Sequence, residues 1–211
     1  MTDQPRRPSG QFDAVAHAEP DLSLAGQPAQ PLDHTEIASA ATSIGELVNL
    51  DADGAVDADP PYQRGHVWGE DRQRALVASI LRGWPVGAII LNDRLTASRT
   101  AGADFEDRDP TAFAVVDGKQ RLNALARFVS GRLAVPAVWF PAEQIAATPH
   151  RLGPDQVVTF RELSAPAQRS FRRMAVPVAT ATLPTLAQEA ELFEAVNTGG
   201  VPQGETDADP A

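Results

Sequence analysis

Apolar residues recur at helical spacing in several separated stretches of the chain, and short apolar runs lie between them. In "YQRGHVWGEDRQRALVASILRGWPVGAIIL", Leu76, Ile80 and Leu81 follow a helical period, Gly83 suits a C-terminal stop and Pro85 follows it. "GAIIL" (87–91) and "FAVV" (113–116) read as short buried strands. Leu122, Leu125 and Val129, with Ala126 beside them, form the next helical stripe, which Gly131 ends. "VPAVWF" (135–140) and "AVPVATATL" (175–183) predict two more strands, and helices are expected around Ala165–Met174 and over 186–196. "SIGELVNLD" (43–51) predicts a short helix capped by Ser43, with Glu46 at capping-box spacing. No repeat is visible. The pattern is α/β (α+β), a small mixed sheet with flanking helices.

The polar stretches set the boundaries. Residues 1–40 are rich in Pro, Ala, Asp and Gln and offer too little apolar surface to offset ordering entropy, so a mostly disordered acidic leader over 1–42 is expected. The folded domain is expected over 43–205, with a tail at 206–211. "ADGAVDADPP" reads as a loop, and 92–112, polar and without periodicity, as a long surface loop. Charge follows the same division. Residues 1–60 hold eleven acidic side chains against Arg6 and Arg7, whereas 61–204 hold sixteen basic and fourteen acidic ones. The net charge of −10 therefore belongs to the ends and does not argue against an anionic ligand. The chain has no cysteine, which excludes disulfides and thiolate metal sites. It has neither an apolar run long enough for a membrane span nor a signal-peptide core, so a soluble cytoplasmic protein without membrane partners is expected.

One motif carries chemistry. "VVDGKQRLNALARF" (115–128) contains the only lysine of the chain, Lys119, between a predicted strand and a predicted helix. The first N–H groups of a helix lack intrahelical partners and carry the positive end of its dipole, which makes a strand–turn–helix junction a natural anion site. Gly118 would let a ligand approach the backbone, and Lys119 and Arg121 would add cationic donors, arginine in bidentate geometry. Gln120 would hold a phosphate oxygen or a water, and Asp117 a metal-bound water or one of the cations. The plainer reading makes Asp117 an N-cap and Gln120 its capping-box partner. Against that reading, two cations in the first turn oppose the dipole at a cost of about a few tenths of a kcal/mol.

Two weaker clusters accompany it. In "PPYQRGHVW" (60–68), the plainer reading makes Tyr62 and Trp68 core anchors and Arg64 a surface charge, and the functional one sets Gln63 and Arg64 facing a phosphate. "NTGG" (197–200) suits either a helix C-cap or a turn whose N–H groups meet a ligand. "RSFRR" (169–173) is the one local basic cluster for a DNA backbone, and it also reads as a solvated helix face. The histidines (His17, His34, His66, His150) lack metal-ligand spacing.

Taken in order, "YQRGHVW", "GWPVGAIIL", "VVDGKQRLNAL" and "LFEAVNTGG" resemble the N-terminal domain of GmrSD-type restriction proteins, also called domain of unknown function 262, of the ParB/sulfiredoxin-like superfamily. The resemblance spans roughly residues 43–205. It implies a compact α/β domain that binds, and often hydrolyses, a nucleoside triphosphate with Mg²⁺, gating DNA cleavage in phage defence. It also implies that the family's Asp-Gly-Gln-Gln-Arg signature falls on Asp117, Gly118, Lys119, Gln120 and Arg121. Asp117, Gln120 and Arg121 then stand as the catalytic set. Gln63, Arg64, Gly118, Lys119, Arg121, Asn197, Gly199 and Gly200 stand as the phosphate-binding set, without a protein metal centre. Lys119 departs from the commoner glutamine, and His66 stands where an aromatic is usual. The chain stops soon after Gly200, whereas full-length relatives continue into a helical region and often a His-Asn-His nuclease domain. An NTPase module without that nuclease is therefore expected, with DNA and a separate nuclease subunit as further partners. The alternatives are a non-hydrolysing nucleotide- or DNA-binding switch and a ParB-like DNA nuclease.

Overall fold

The computed structural model describes residues 34–63, 67–105, 111–146 and 156–198. Five strands form the main sheet: β1 (Ile37–Ser43), β2 (Val56–Asp57), β3 (Ile89–Asp93), β4 (Phe113–Asp117) and β7 (Ala175–Ala181), in the order β1-β7-β3-β4-β2. The sheet is mixed. β1 and β7 run antiparallel, as do β3 and β4, whereas β3 is parallel to β7 and β2 is parallel to β4. A bulge between Ile90 and Leu91 shifts the β3–β4 register and sets Ile90 opposite Asp117. A second small sheet pairs β5 (Val135–Pro136) with β6 (Val157–Val158).

The helices are α1 (Ile44–Ala52), α2 (Glu70–Leu81), α3 (Arg94–Ala97), α4 (Lys119–Val129), α5 (Ala165–Arg173) and α6 (Leu186–Thr198). α1 starts where Ser43 Oγ accepts the Glu46 N–H at 3.2 Å, the cap expected from the sequence. Gly83 and Gly131, which close α2 and α4, both take positive φ, at 69° and 79°. The stripe Leu122, Leu125, Ala126 and Val129 is buried as its spacing predicts, and Phe128 joins it. Phe128, Phe160 and Phe171 pack edge-on with centroids 4.9–5.8 Å apart, joining α4 to α5. Val115 of β4 points into this core. Its neighbours Ala114 and Val116 project to the opposite face and are equally buried, with α6 packed on β4. β4 therefore reads as a continuous apolar run because both of its faces are covered.

Four expectations need correction. Residues 37–42, assigned to the leader, lie in β1, because β7 supplies a seven-residue hydrogen-bonding partner for a segment with little apolar patterning of its own. Within "ADGAVDADPP", Val56 and Asp57 add a short strand to the β4 edge. In "VPAVWF" only Val135 and Pro136 are strand, and Ala137–Trp139 turn into a 3-10 helix. The segment 92–112 is not all surface loop: Asn92 and Asp93 end β3, Arg94 opens α3, and Asn92 and Arg94 are buried. Residues 1–33 and the tail 206–211 lie outside the described residues.

Candidate functional site

β4 delivers the chain into α4 through one residue. Gly118 is the N-cap of α4 at φ 94°, and no side chain caps the helix. A Cβ at Gly118 would stand 3.0 Å from Ile89 Cα. Conformation and space therefore both call for glycine. Asp117 belongs to β4, and its carboxylate is held by the Arg121 guanidinium. That arrangement overturns the capping-box reading of Asp117 and Gln120, since neither side chain serves the helix start. Only the Leu122 N–H reaches back, to Gly118 O at 2.9 Å.

The cations of the first turn are each held by a carboxylate. Lys119 Nζ donates to Asp59 Oδ1 at 2.6 Å; the lysine is three-quarters covered, whereas the Asp59 side chain is 79% exposed. Arg121 Nη2 also donates to Ala88 O at 2.8 Å. Its guanidinium lies against Gly87, where an added Cβ would meet Nη1 at 3.2 Å. Arg121 Nε is buried and has no acceptor, so the guanidinium is only partly satisfied. Gln120 Oε1 accepts the Trp68 N–H at 3.1 Å and ties the segment ahead of α2 to the α4 start. Gln63 Nε2 donates to Val115 O at 2.5 Å and Val116 O at 2.9 Å, continuing the β4 edge past the end of β2. Gln63, Asp117, Gly118, Lys119, Gln120 and Arg121 thus gather around one strand–helix junction.

Asn197 does not join them. It lies in the last turn of α6, exposed, and its Nδ2 donates to Phe193 O at 2.7 Å, within its own helix. α6 runs through Asn197 and Thr198, so the expected end of the helix at 196 moves outward. Arg64, His66, Gly199 and Gly200 lie outside the described residues. Tyr62 and Trp68 are core anchors, as their plainer reading has it: the Tyr62 ring packs 5.7 Å from Phe193, and Trp68 lies against the main core.

Next to this junction is a buried polar cluster that the sequence did not announce. Arg94 clamps Glu189 bidentately, Nε to Oε1 at 2.8 Å and Nη2 to Oε2 at 2.7 Å, and reaches Asp57 Oδ2 at 2.9 Å through Nη1. Asn92 Nδ2 donates to Glu189 Oε1 at 2.7 Å, and Asn92 Oδ1 accepts the Leu183 N–H at 2.7 Å. Glu189 and Asn92 are fully buried. Burial alone would lower the Arg94 pKa, but its carboxylate partners outweigh that and hold it above the ordinary arginine value. The Tyr62 hydroxyl is buried beside this cluster without a hydrogen bond of ordinary geometry. Its pKa is pushed far up, first by burial and then by Glu189, which keeps the phenol protonated. One signal did exist: Glu189 falls on the helical stripe Leu186, Ala190 and Phe193, where a charge demands a buried partner.

The fold and the junction together define a mixed α/β domain whose sheet delivers an uncapped helix start carrying two carboxylate-held cations. The chain belongs to the family of the GmrSD restriction endonuclease N-terminal domain, whose family model matches residues 44–208. That is a phage-defence restriction family, and the match takes in the four motifs quoted above. No curated protein and no solved structure matches the chain. No described helix is long and apolar enough to cross a membrane.

Proposed function

We propose that this domain binds a nucleoside triphosphate at the start of α4 and hydrolyses it, serving in the cytoplasm as the sensor/NTPase part of a modification-dependent restriction system. The observation that carries the reading is the α4 start: an uncapped helix N-terminus, reached through a glycine with no room for a Cβ, with both first-turn cations on exchangeable carboxylate partners. An incoming phosphate takes the free N–H groups and draws Lys119 away from Asp59 and Arg121 away from Asp117. The resemblance also assigns Arg64, Gly199 and Gly200 to the phosphate-binding set; all three lie outside the described residues. Asp117, once released, orients a water, with Gln120 beside it. This is catalysis by positioning and electrostatics.

Mg²⁺ fits this reading when it arrives on the nucleotide. Among the described residues there is no group of three His, Asp or Glu side chains that forms a metal cage. Mg²⁺ on phosphates needs only one or two protein carboxylates, and Asp59 and Asp117 stand beside the first turn to supply them. Bound there, the ion supplies neutralisation of phosphate charge. The kinship with ParB-like proteins, and DNA with a separate nuclease subunit as partners, belong to the same proposal.

A second reading, a switch that holds the nucleotide without cutting it, is favoured by Gln120: its carbonyl oxygen accepts the Trp68 N–H, which ties the side chain to the segment ahead of α2. Phosphate release measured with each NTP and Mg²⁺, then repeated with Arg121→Ala, separates the readings. Release that falls at least about tenfold in the variant, roughly 1.4 kcal/mol, supports hydrolysis. Tight binding without release, lost in the variant, supports the switch. Binding and release both indifferent to Arg121 would defeat the phosphate site, and plasmid cleavage without NTP would favour a nuclease.

A further inference from the structure

A path of polar contacts runs from the buried face of α6 to the cation at the start of α4. Glu189, fully buried on α6, is clamped by Arg94 at 2.7 and 2.8 Å. Arg94 holds Asp57 Oδ2 at 2.9 Å, and the other oxygen of that carboxylate accepts the Asp59 N–H at 3.0 Å. Asp59 Oδ1 in turn takes Lys119 Nζ at 2.6 Å. Asp59 is too exposed for packing to fix it, so its backbone bond to Asp57 restrains the arm that holds Lys119. Asp57 is itself aimed by Arg94. A second contact runs alongside: the Phe193 ring of α6 packs 5.7 Å from Tyr62, whose neighbour Gln63 grips β4.

We propose that Arg94 is a positioning residue of the phosphate site. It fixes α6 through Glu189 and the Asp59–Lys119 arm through Asp57, so that docking of α6 and occupancy of the α4 start are coupled. This rests on the phosphate reading of that helix start. The coupling is reciprocal: whatever orders one arm lowers the cost of ordering the other. The shared guanidinium makes it specific, because its planar fork presents three separate nitrogens to the two Glu189 oxygens and Asp57.

Two measurements on the full chain test it. The first is amide hydrogen exchange without ligand. Glu189→Gln is expected to speed exchange about fivefold or more in residues 186–198 and also in 57–63. Asp57→Asn, at the more exposed end of the path, is expected to do the same in 57–63 and in 186–198, and remains informative if the Glu189 variant does not fold. Changes confined to the mutated arm in both variants, or in Asp57→Asn alone if only it folds, would overturn the coupling. The second is titration of MgATP, MgGTP and MgCTP separately into each folded protein. For whichever nucleotide the wild type binds, the variants are expected to bind about tenfold more weakly. Variants that melt earlier yet bind as the wild type does would reduce the path to a structural brace. A wild-type protein that binds none of the three would sink the phosphate reading, while the exchange result would still decide the coupling.

Discussion

The two polar centres of this domain treat charge in opposite ways. Around Arg94 each of the three guanidinium nitrogens donates to a carboxylate, and Glu189 is fully shielded from water. Around Lys119 and Arg121 the carboxylates are partly or largely exposed, and one arginine nitrogen is left without an acceptor. The first centre is closed and serves to hold elements together. The second is open, and on the proposed phosphate reading its carboxylates would give way to a ligand. Charge of the same kinds is thus locked in one place and left accessible in the other, and burial makes the difference.

The largest predicted effect breaks the closed centre. Arg94→Ala strands Glu189 as an unpaired buried charge and should cost about 3–5 kcal/mol in chemical denaturation. Removing both charges, as in Arg94→Met with Glu189→Leu, should recover most of that loss; a double variant as unstable as the single one would show that Asn92 and Asp57 carry the cluster instead. Next is the turn between the centres. Gly118→Ala forces a side chain into a left-handed conformation at a cost of about 1–2 kcal/mol, plus whatever Ile89 must yield, and thermal melting should show it. Smaller still is Lys119→Gln at the open centre. The exposed pair with Asp59 is worth at most about 1 kcal/mol, so stability should hardly change while phosphate binding weakens and becomes less dependent on salt. Glu162, distant from both centres, serves as a reference. Its carboxylate accepts the Thr159 N–H and hydroxyl, which lower its pKa from the ordinary value of 4.5. Its contribution is therefore present above about pH 4.5 and lost as pH falls below that. Glu162→Gln should flatten that slope without touching either centre.

The fold was legible where local chemistry decided it. The α2 and α4 stripes, the Ser43 cap and the glycines that end both helices came directly from spacing, because each depends on residues within one turn. β1 was hidden because it is made by its partner: Ile37 meets Ala181 and Ser43 meets Ala175 across most of the chain. Arg94 was hidden for the same reason, since its counterions, Asp57 and Glu189, are far from it in sequence. The α4 start was legible as a strand–glycine–helix junction, and the structure adds a carboxylate for each cation and leaves the helix start without a side-chain cap. The buried path between the centres was not legible, because it joins residues from four separate segments.

The strand order carries a consequence for biosynthesis. β7, close to the end of the described chain, lies between β1 and β3 and is the only strand that joins them. A chain leaving the ribosome from its N-terminus has β1 and the β3–β4 hairpin in hand long before the strand that unites them. Until β7 emerges, two unpaired edges stand open to pairing with a neighbouring nascent chain. Completion of the sheet is thus a late event with high contact order, and chains stopped before Ala175 should collect on chaperones, whereas the full chain should not.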